Sequence, residues 1–352
     1  MMLSRSRRVS RTLLVAGLAA TVALLAASCA ASEEEASSSS SATSEASDTA
    51  TETVVAPTGI DLTLFADDAI VGEPELVDCT LSEGTETTCY EFTISGYPST
   101  YETGPFCPDT ITTSADDAGI WFDGEDVYDL DGEFIAGLAD LYGSGWQMYD
   151  EDGNVYVTET IEAFEAAARP DVDPEYQNYC IEGSIDFLDN SEPIETTVTI
   201  PAEPVAASAA SSTQGNLGVT LDGVVIALSA PVDAILGAYT IAAFDDCGGH
   251  YNPFEGYHLH GAAGCSEVES ASEDETGQFG YAMDGYPVFS PYTEEQLESV
   301  ELDECNGHTT EAEGYHYHAN AIEENLVIEC FVGQVVANEE GAGGPPAGGP
   351  ND

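Results

Sequence analysis

All six histidines of the 352-residue chain fall in two copies of one spacing. The first copy is Cys247-Gly-Gly-His250, seven residues, then His258-Leu-His260. The second is Cys305-Asn-Gly-His308, seven residues, then His316-Tyr-His318. An aspartate stands two residues before each cysteine, Asp245 and Asp303. Neutral imidazole suits zinc, copper and non-haem iron alike. In an extended strand, residues i and i+2 share a face. His258 and His260 are therefore expected to point together, with Tyr257 and Leu259 on the reverse, and His316 and His318 likewise opposite Tyr315 and Tyr317. His250 and His308 lie in glycine-containing stretches that read as turns able to return a third nitrogen. Three histidines leave a coordination position open, as in catalytic rather than closed zinc sites. His250, His258, His260, His308, His316 and His318 are thus the candidate ligands of a divalent metal, zinc or copper, as two sites or as one shared site. The competing reading is a metal-free core in which the imidazoles bond to Asp, Tyr and backbone groups.

Eight cysteines lie beyond Cys29: Cys79, Cys89, Cys107, Cys180, Cys247, Cys265, Cys305 and Cys330. An even number in an exported chain argues for up to four disulfides. Pairing within each copy (247 with 265, 305 with 330) and pairing of Cys247 with Cys305 are both open, as are free thiolates at 247 and 305 that would favour zinc. Asp245, Asp246, Asp303 and Glu304 are candidates for orienting the imidazoles. An acidic surround is expected to raise the pKa of unligated histidines.

Export follows from the first 28 residues. Arg5, Arg7, Arg8 and Arg11 precede an apolar run, Leu13 to Ala27, too short for a membrane span. Ala26-Ala27-Ser28 leads into Cys29 as in a lipobox, so the expected partner is a membrane, reached through a lipid on Cys29 at the outer face of the envelope. Beyond that segment one basic residue, Arg169, faces 66 acids, a formal charge of −65. Nucleic acid is excluded as a partner, because phosphate binding needs cations. Such self-repulsion opposes compaction in dilute buffer and largely disappears at ~1 M salt, where the Debye length is ~3 Å. The composition therefore reads as halophilic.

Residues 29–57 are Ser/Glu-rich and too poor in large apolar side chains to fold, and 339–352 form a Gly/Pro-rich tail. Between them, 58–338 is expected to be mainly β with a few short helices. Residues 58–200 read as strands and turns, and Pro201 to Gly215 as a low-complexity bridge. Asp152-Gly153 marks a hairpin turn between Trp146–Tyr149 and Val155–Val157. Ile161, Phe164 and Ala168 recur at helical spacing before Pro170. From 215 to 333 the chain repeats itself about 60 residues apart. Leu217-Gly-Val-Thr-Leu-Asp222-Gly223 answers Phe279-Gly-Tyr-Ala-Met-Asp284-Gly285. Thr293 with Gln296 forms a capping box. The expected architecture is a β-rich domain containing an internal pseudo-twofold duplication, its clusters able to meet near the axis.

Leu302-Asp-Glu-Cys-Asn-Gly-His308 followed by Gly314-Tyr-His-Tyr-His318 resembles the signature of the YHYH domain family, and Cys247 to His260 is similar to its upstream companion. Asp284-Gly-Tyr-Pro-Val-Phe-Ser-Pro291 and Cys330-Phe-Val-Gly333 are similar to its intervening and closing segments. Leu259 departs from the pattern, standing where the second copy has Tyr317. The resemblance implies an exported, histidine-rich domain and supplies no reaction. Three functions follow as expectations: a lipid-anchored metal-binding domain, a zinc or copper metalloenzyme, or a metal-free structural or adhesive module. The chain has no Lys, which excludes Schiff-base chemistry.

Overall fold

A computed structural model describes residues 59–169, 172–265, 267–268 and 275–337. The signal segment, Cys29, the tether, Pro170 and the tail at 339–352 lie outside the described residues. Those described are mainly β, with 17 strands and four short α-helices.

The first half opens on a long hairpin, β1 (Ile70–Thr80) and β2 (Glu86–Ile94), followed by the short pair β3 (Ile120–Phe122) and β4 (Val127–Asp129). Helix α1 (Gly132–Leu141) starts where the Asp131 carboxylate accepts the Phe134 amide, and buries Ile135 and Leu138 one turn apart. The expected hairpin is present. Tyr149 bridges Val155 across a turn in which Asp150 accepts the amides of Asp152 and Asn154. Helix α2 (Ile161–Ala167) matches the helical spacing read there. Next come β5 (Cys180–Ile181) and β6 (Thr196–Pro201), in which Val198 and Ile200 turn inward between outward threonines. β2 lies between β1 and β6 in a three-stranded sheet.

The Pro201–Gly215 stretch is not a bridge. It contains a strand, β7 (Ala206–Ser212), which pairs antiparallel with the last strand. Small Ala and Ser side chains hid this strand, because it buries little and is held by ladder hydrogen bonds rather than apolar packing.

The remaining elements are β8 (Gly218–Thr220), β9 (Val225–Ile226), α3 (Val232–Gly237), β10 (Ile241–Ala242), β11 (Gly249–Asn252), β12 (Gly256–Leu259), β13 (Gln278–Ala282), β14 (Pro287–Phe289), α4 (Glu294–Leu297), β15 (Gly307–Thr310), β16 (Gly314–His318) and β17 (Cys330–Gly333). The capping box at Thr293 and Gln296 opens α4 as expected. Eight strands form one sheet in the order β11-β12-β9-β8-β13-β14-β16-β15. From either edge inward the pairing runs antiparallel, parallel, antiparallel, reaching a central antiparallel pair of β8 and β13. The Asp-Gly pairs turn the two inner hairpins. Gly223 and Gly285 both have φ near +90°, and a Cβ at either would meet a backbone carbonyl at under 3 Å.

One face of this sheet packs on β2 and β6, burying Phe92, Ile94, Val198 and Ile200 against Val219, Tyr281 and Tyr317. A second core gathers Trp121, Leu138 and Phe244. It is tied by the parallel pairing of β5 with β10 and by the Cys107–Cys180 disulfide. The first half thereby seats itself on the segment leading into His250.

Tyr317 locks the closing strand. Its hydroxyl donates to the buried Asp284 carboxylate (2.5 Å) and accepts the Val332 amide (2.8 Å), while Asp284 also accepts the Gly333 amide (2.9 Å). Leu259, at the corresponding place in the first copy, sits instead in an apolar cluster with Leu188, Val224 and Tyr251. Tyr317→Phe leaves a buried carboxylate and a buried amide each short of a partner, so it should cost about 1–3 kcal/mol. Denaturant unfolding in high salt measures this, and an unchanged midpoint would contradict the role.

Candidate metal centres

Each histidine trio is built on one tight hairpin. His250 on β11 stands directly opposite His258 on β12, and His308 on β15 opposite His316 on β16. His250 and His308 are therefore strand residues rather than turn residues. The third member, His260 or His318, lies two residues beyond its strand mate and shares its face, as the strand period requires. Tyr257 and Leu259 are buried on the reverse face, as is Tyr317.

Asp245 and Asp303 engage backbone amides and tyrosines. Asp245 accepts the amides of Cys247 and Gly249 (both 3.1 Å), the Gly104 amide (3.1 Å) and the Tyr257 hydroxyl (2.7 Å). Asp303 repeats this with Cys305, Gly307 and Tyr315, each at 2.9 Å. Their task is to fix the turn that opens each hairpin. Orientation of the rings falls to backbone carbonyls instead. His258 Nδ1 faces the Gly256 carbonyl (3.1 Å), His260 Nδ1 that of Leu228, His316 Nδ1 that of Gly314 (3.1 Å) and His318 Nδ1 that of Ser290 (3.1 Å). A carbonyl only accepts, which assigns the proton to Nδ1 and leaves the Nε2 lone pair turned inward.

The Nε2 atoms then converge. His250 lies 3.1 Å from His258 and 3.2 Å from His260; His308 lies 3.0 Å from His316 and 3.2 Å from His318. Tetrahedral bonds of ~2.0–2.1 Å to one ion place nitrogens about 3.3–3.4 Å apart, close to what is seen. His258, His260, His316 and His318, so oriented, have no Nε2 proton to offer, and a cation would satisfy each converging trio together. His250, His258 and His260 form one group able to hold a metal, and His308, His316, His318 and Glu275 a second. The clusters do not meet at an axis. They occupy the two outermost hairpins of the eight-stranded sheet and share no ligand.

Glu275 was illegible in the sequence. Its carboxylate lies 3.5 Å from His308 Nε2, 3.4 Å from that of His316 and 3.2 Å from that of His318. It follows an acidic stretch and is one of 66 acids, with no spacing to mark it. Tyr292 donates to it (2.5 Å) and stacks on His318 at 3.8 Å between ring centres. Burial alone would raise the Glu275 pKa, but the Tyr292 hydrogen bond and the three imidazoles outweigh it and hold the carboxyl low.

The cysteines are not ligands. Cys247 is bonded to Cys265 and Cys305 to Cys330, within each copy, and Cys79–Cys89 and Cys107–Cys180 complete four disulfides. The donors are thus three nitrogens, or three nitrogens and a carboxylate, which fit zinc or copper.

The expectation that acidic surroundings raise the histidine pKa values is overturned. Burial pushes His250 well below the ordinary value, with further lowering from His258 and His260. It lowers His258 and His316, takes His260 down to about 3 and His318 to about 4. The acids lie mostly on the solvated surface, whereas desolvation acts on the rings directly.

Residues 197–299 match the family described as YHYH protein. Over that segment the chain is similar to a YHYH domain. The matched segment spans β6 to just past α4, including the first trio and Glu275. It ends before the second trio, so the Tyr315–His318 tetrapeptide lies outside it. No curated protein matches the chain, and no solved structure matches it.

The depressed pKa values would give a metal-loaded form of the first cluster a definite acid response. Protons compete with metal only below a ligand's own pKa. Metal offered to the first cluster should stay bound through the ordinary imidazole value of 6.5 and leave only as pH falls towards about 3, the value of His260. A chromogenic chelator read after stepwise acidification checks this, and release centred near 6.5 would contradict it. For the metal-free domain the sign is the same. Rings held neutral by the fold bind fewer protons than in the unfolded chain, so their contribution to stability is lost as pH drops below 6.5.

Proposed function

We propose that this is an exported metal-binding domain, anchored to the membrane by a lipid on Cys29, that holds one zinc or copper ion in each of two histidine hairpins. The observation that carries the reading is the convergence of three Nε2 atoms in each hairpin, with the Nδ1 atoms of His258, His260, His316 and His318 committed to carbonyls. Four disulfides fit an oxidising compartment outside the cytoplasm. No helix among the described residues is long and apolar enough to cross a membrane, so attachment in this reading falls to the lipid and the 29–57 tether. The two hairpins descend from a duplication; the repeated motifs and the strand order that reads alike from both edges support this. Surface charge of this size suits a salt-rich exterior, where screening removes the self-repulsion.

A metalloenzyme is the second reading, favoured by the three-nitrogen donor set of the first cluster, which leaves a position for water or substrate.

Elemental analysis of the mature domain, purified in high salt without chelator or affinity tag, should find two equivalents of metal. Changing His316 and His318 together to Ala should reduce this to one. A folded parent that takes up no offered zinc or copper would overturn the reading and leave the trios as hydrogen-bonded structure.

A further inference from the structure

The two trios superficially repeat each other but differ in what surrounds the converging nitrogens. At the second, Glu275 supplies a charged oxygen within 3.5 Å of all three Nε2 atoms, and its side chain is 5% exposed. The Tyr292 hydroxyl reaches both Glu275 and His308 Nε2 (3.4 Å), and its ring covers His318. His316 and His318 have no exposed side-chain surface. A divalent ion there would have four protein donors, the closed arrangement of structural sites.

At the first trio, Glu255 Oε2 is 3.9 Å from His258 Nε2 and is engaged by the Asn252 amide at 2.6 Å. The aromatic neighbour is Phe244, stacked on His250 at 4.7 Å and edge-on to His260, which has no donor atom to offer. His258 lines a cleft of about 250 Å³ walled by Ile194, Thr196, Asn216, Phe254 and Glu255. A cleft and a three-nitrogen donor set therefore coincide at the first hairpin, whereas the second has a carboxylate as a fourth donor.

We propose that the clusters divide the work. His250, His258 and His260 hold a metal whose remaining position takes a small exogenous oxygen- or nitrogen-donor ligand entering by the cleft, whereas His308, His316, His318 and Glu275 hold a closed, structural metal. The proposal rests on the metal-binding reading above. Charge sets the ligand class. Three neutral imidazoles leave a divalent ion its full charge, which favours a neutral or singly anionic donor, while Glu195 and Glu255 in the cleft wall repel polyanions. Glu275 has already supplied that anion at the second site.

The test is azide titration of the copper(II)-loaded mature domain in high salt, following the azide-to-copper charge-transfer absorption with the copper content measured on the same samples. The parent should bind two coppers and show one saturable azide site. His250→Ala should lose one copper and the azide band. His308→Ala should lose one copper and keep the band. Glu275→Ala, which opens the second site without touching the first, should gain a second azide and double the absorption; this holds even where a histidine variant misfolds. Two coppers with no azide site, equal azide binding at both, or a band that survives His250→Ala would overturn the division while leaving the metal-binding reading intact. A folded parent that binds no copper or zinc would overturn both.

Discussion

Cross-strand register in two short hairpins is the constraint on which the candidate centres depend. A shift of one residue would send every side chain of the hairpin to the opposite face, moving the imidazoles into the apolar core and the tyrosines out of it. Asp245 and Asp303 hold that register by accepting the amides two and four residues ahead and the hydroxyl of a tyrosine on the facing strand. The disulfides Cys247–Cys265 and Cys305–Cys330 fasten the start of each hairpin to chain that follows it. Each trio is thus set by backbone geometry, and its rings are aimed by carbonyls rather than by flexible carboxylates.

The extreme acidity of the chain and the neutrality of its clusters are separate matters. Acids on a solvated surface act through high dielectric and are screened by salt, while burial acts on a ring at contact range. The fold therefore favours the neutral form of His250, His258, His260, His316 and His318, the state a metal ligand needs. Asp284 shows the same force on a carboxyl, since desolvation raises it to about 6 despite the Tyr317 and backbone hydrogen bonds that pull it down.

The two halves of the eight-stranded sheet differ where packing demands differ. Tyr317 reaches Asp284 and the Val332 amide, tying β17 to the sheet, and β17 in turn holds β7. At the matching position Leu259 has no such strand to bind and fills an apolar cluster formed with the first half of the chain. A residue difference of one hydroxyl-bearing ring thus follows from what lies behind each hairpin, not from the histidines in front of it.

Much of this was legible in the residues alone. The doubled C-x2-H-x7-H-x-H spacing marked all six histidines, and strand periodicity placed His258 with His260 and His316 with His318, because both are local properties of extended chain. Likewise local were the capping box at Thr293, the Asp-Gly turns and the α2 helix. Strand β7 escaped because its Ala and Ser side chains carry no apolar alternation. The choice among disulfide pairings, the location of the trios on the sheet's outer hairpins, and the recruitment of Glu275 and Tyr292 rest on contacts between distant segments. Composition could not single out one glutamate among 66. Burial, which decides the charge state of the imidazoles, belongs to the folded chain as a whole, and so only the tertiary structure determined it.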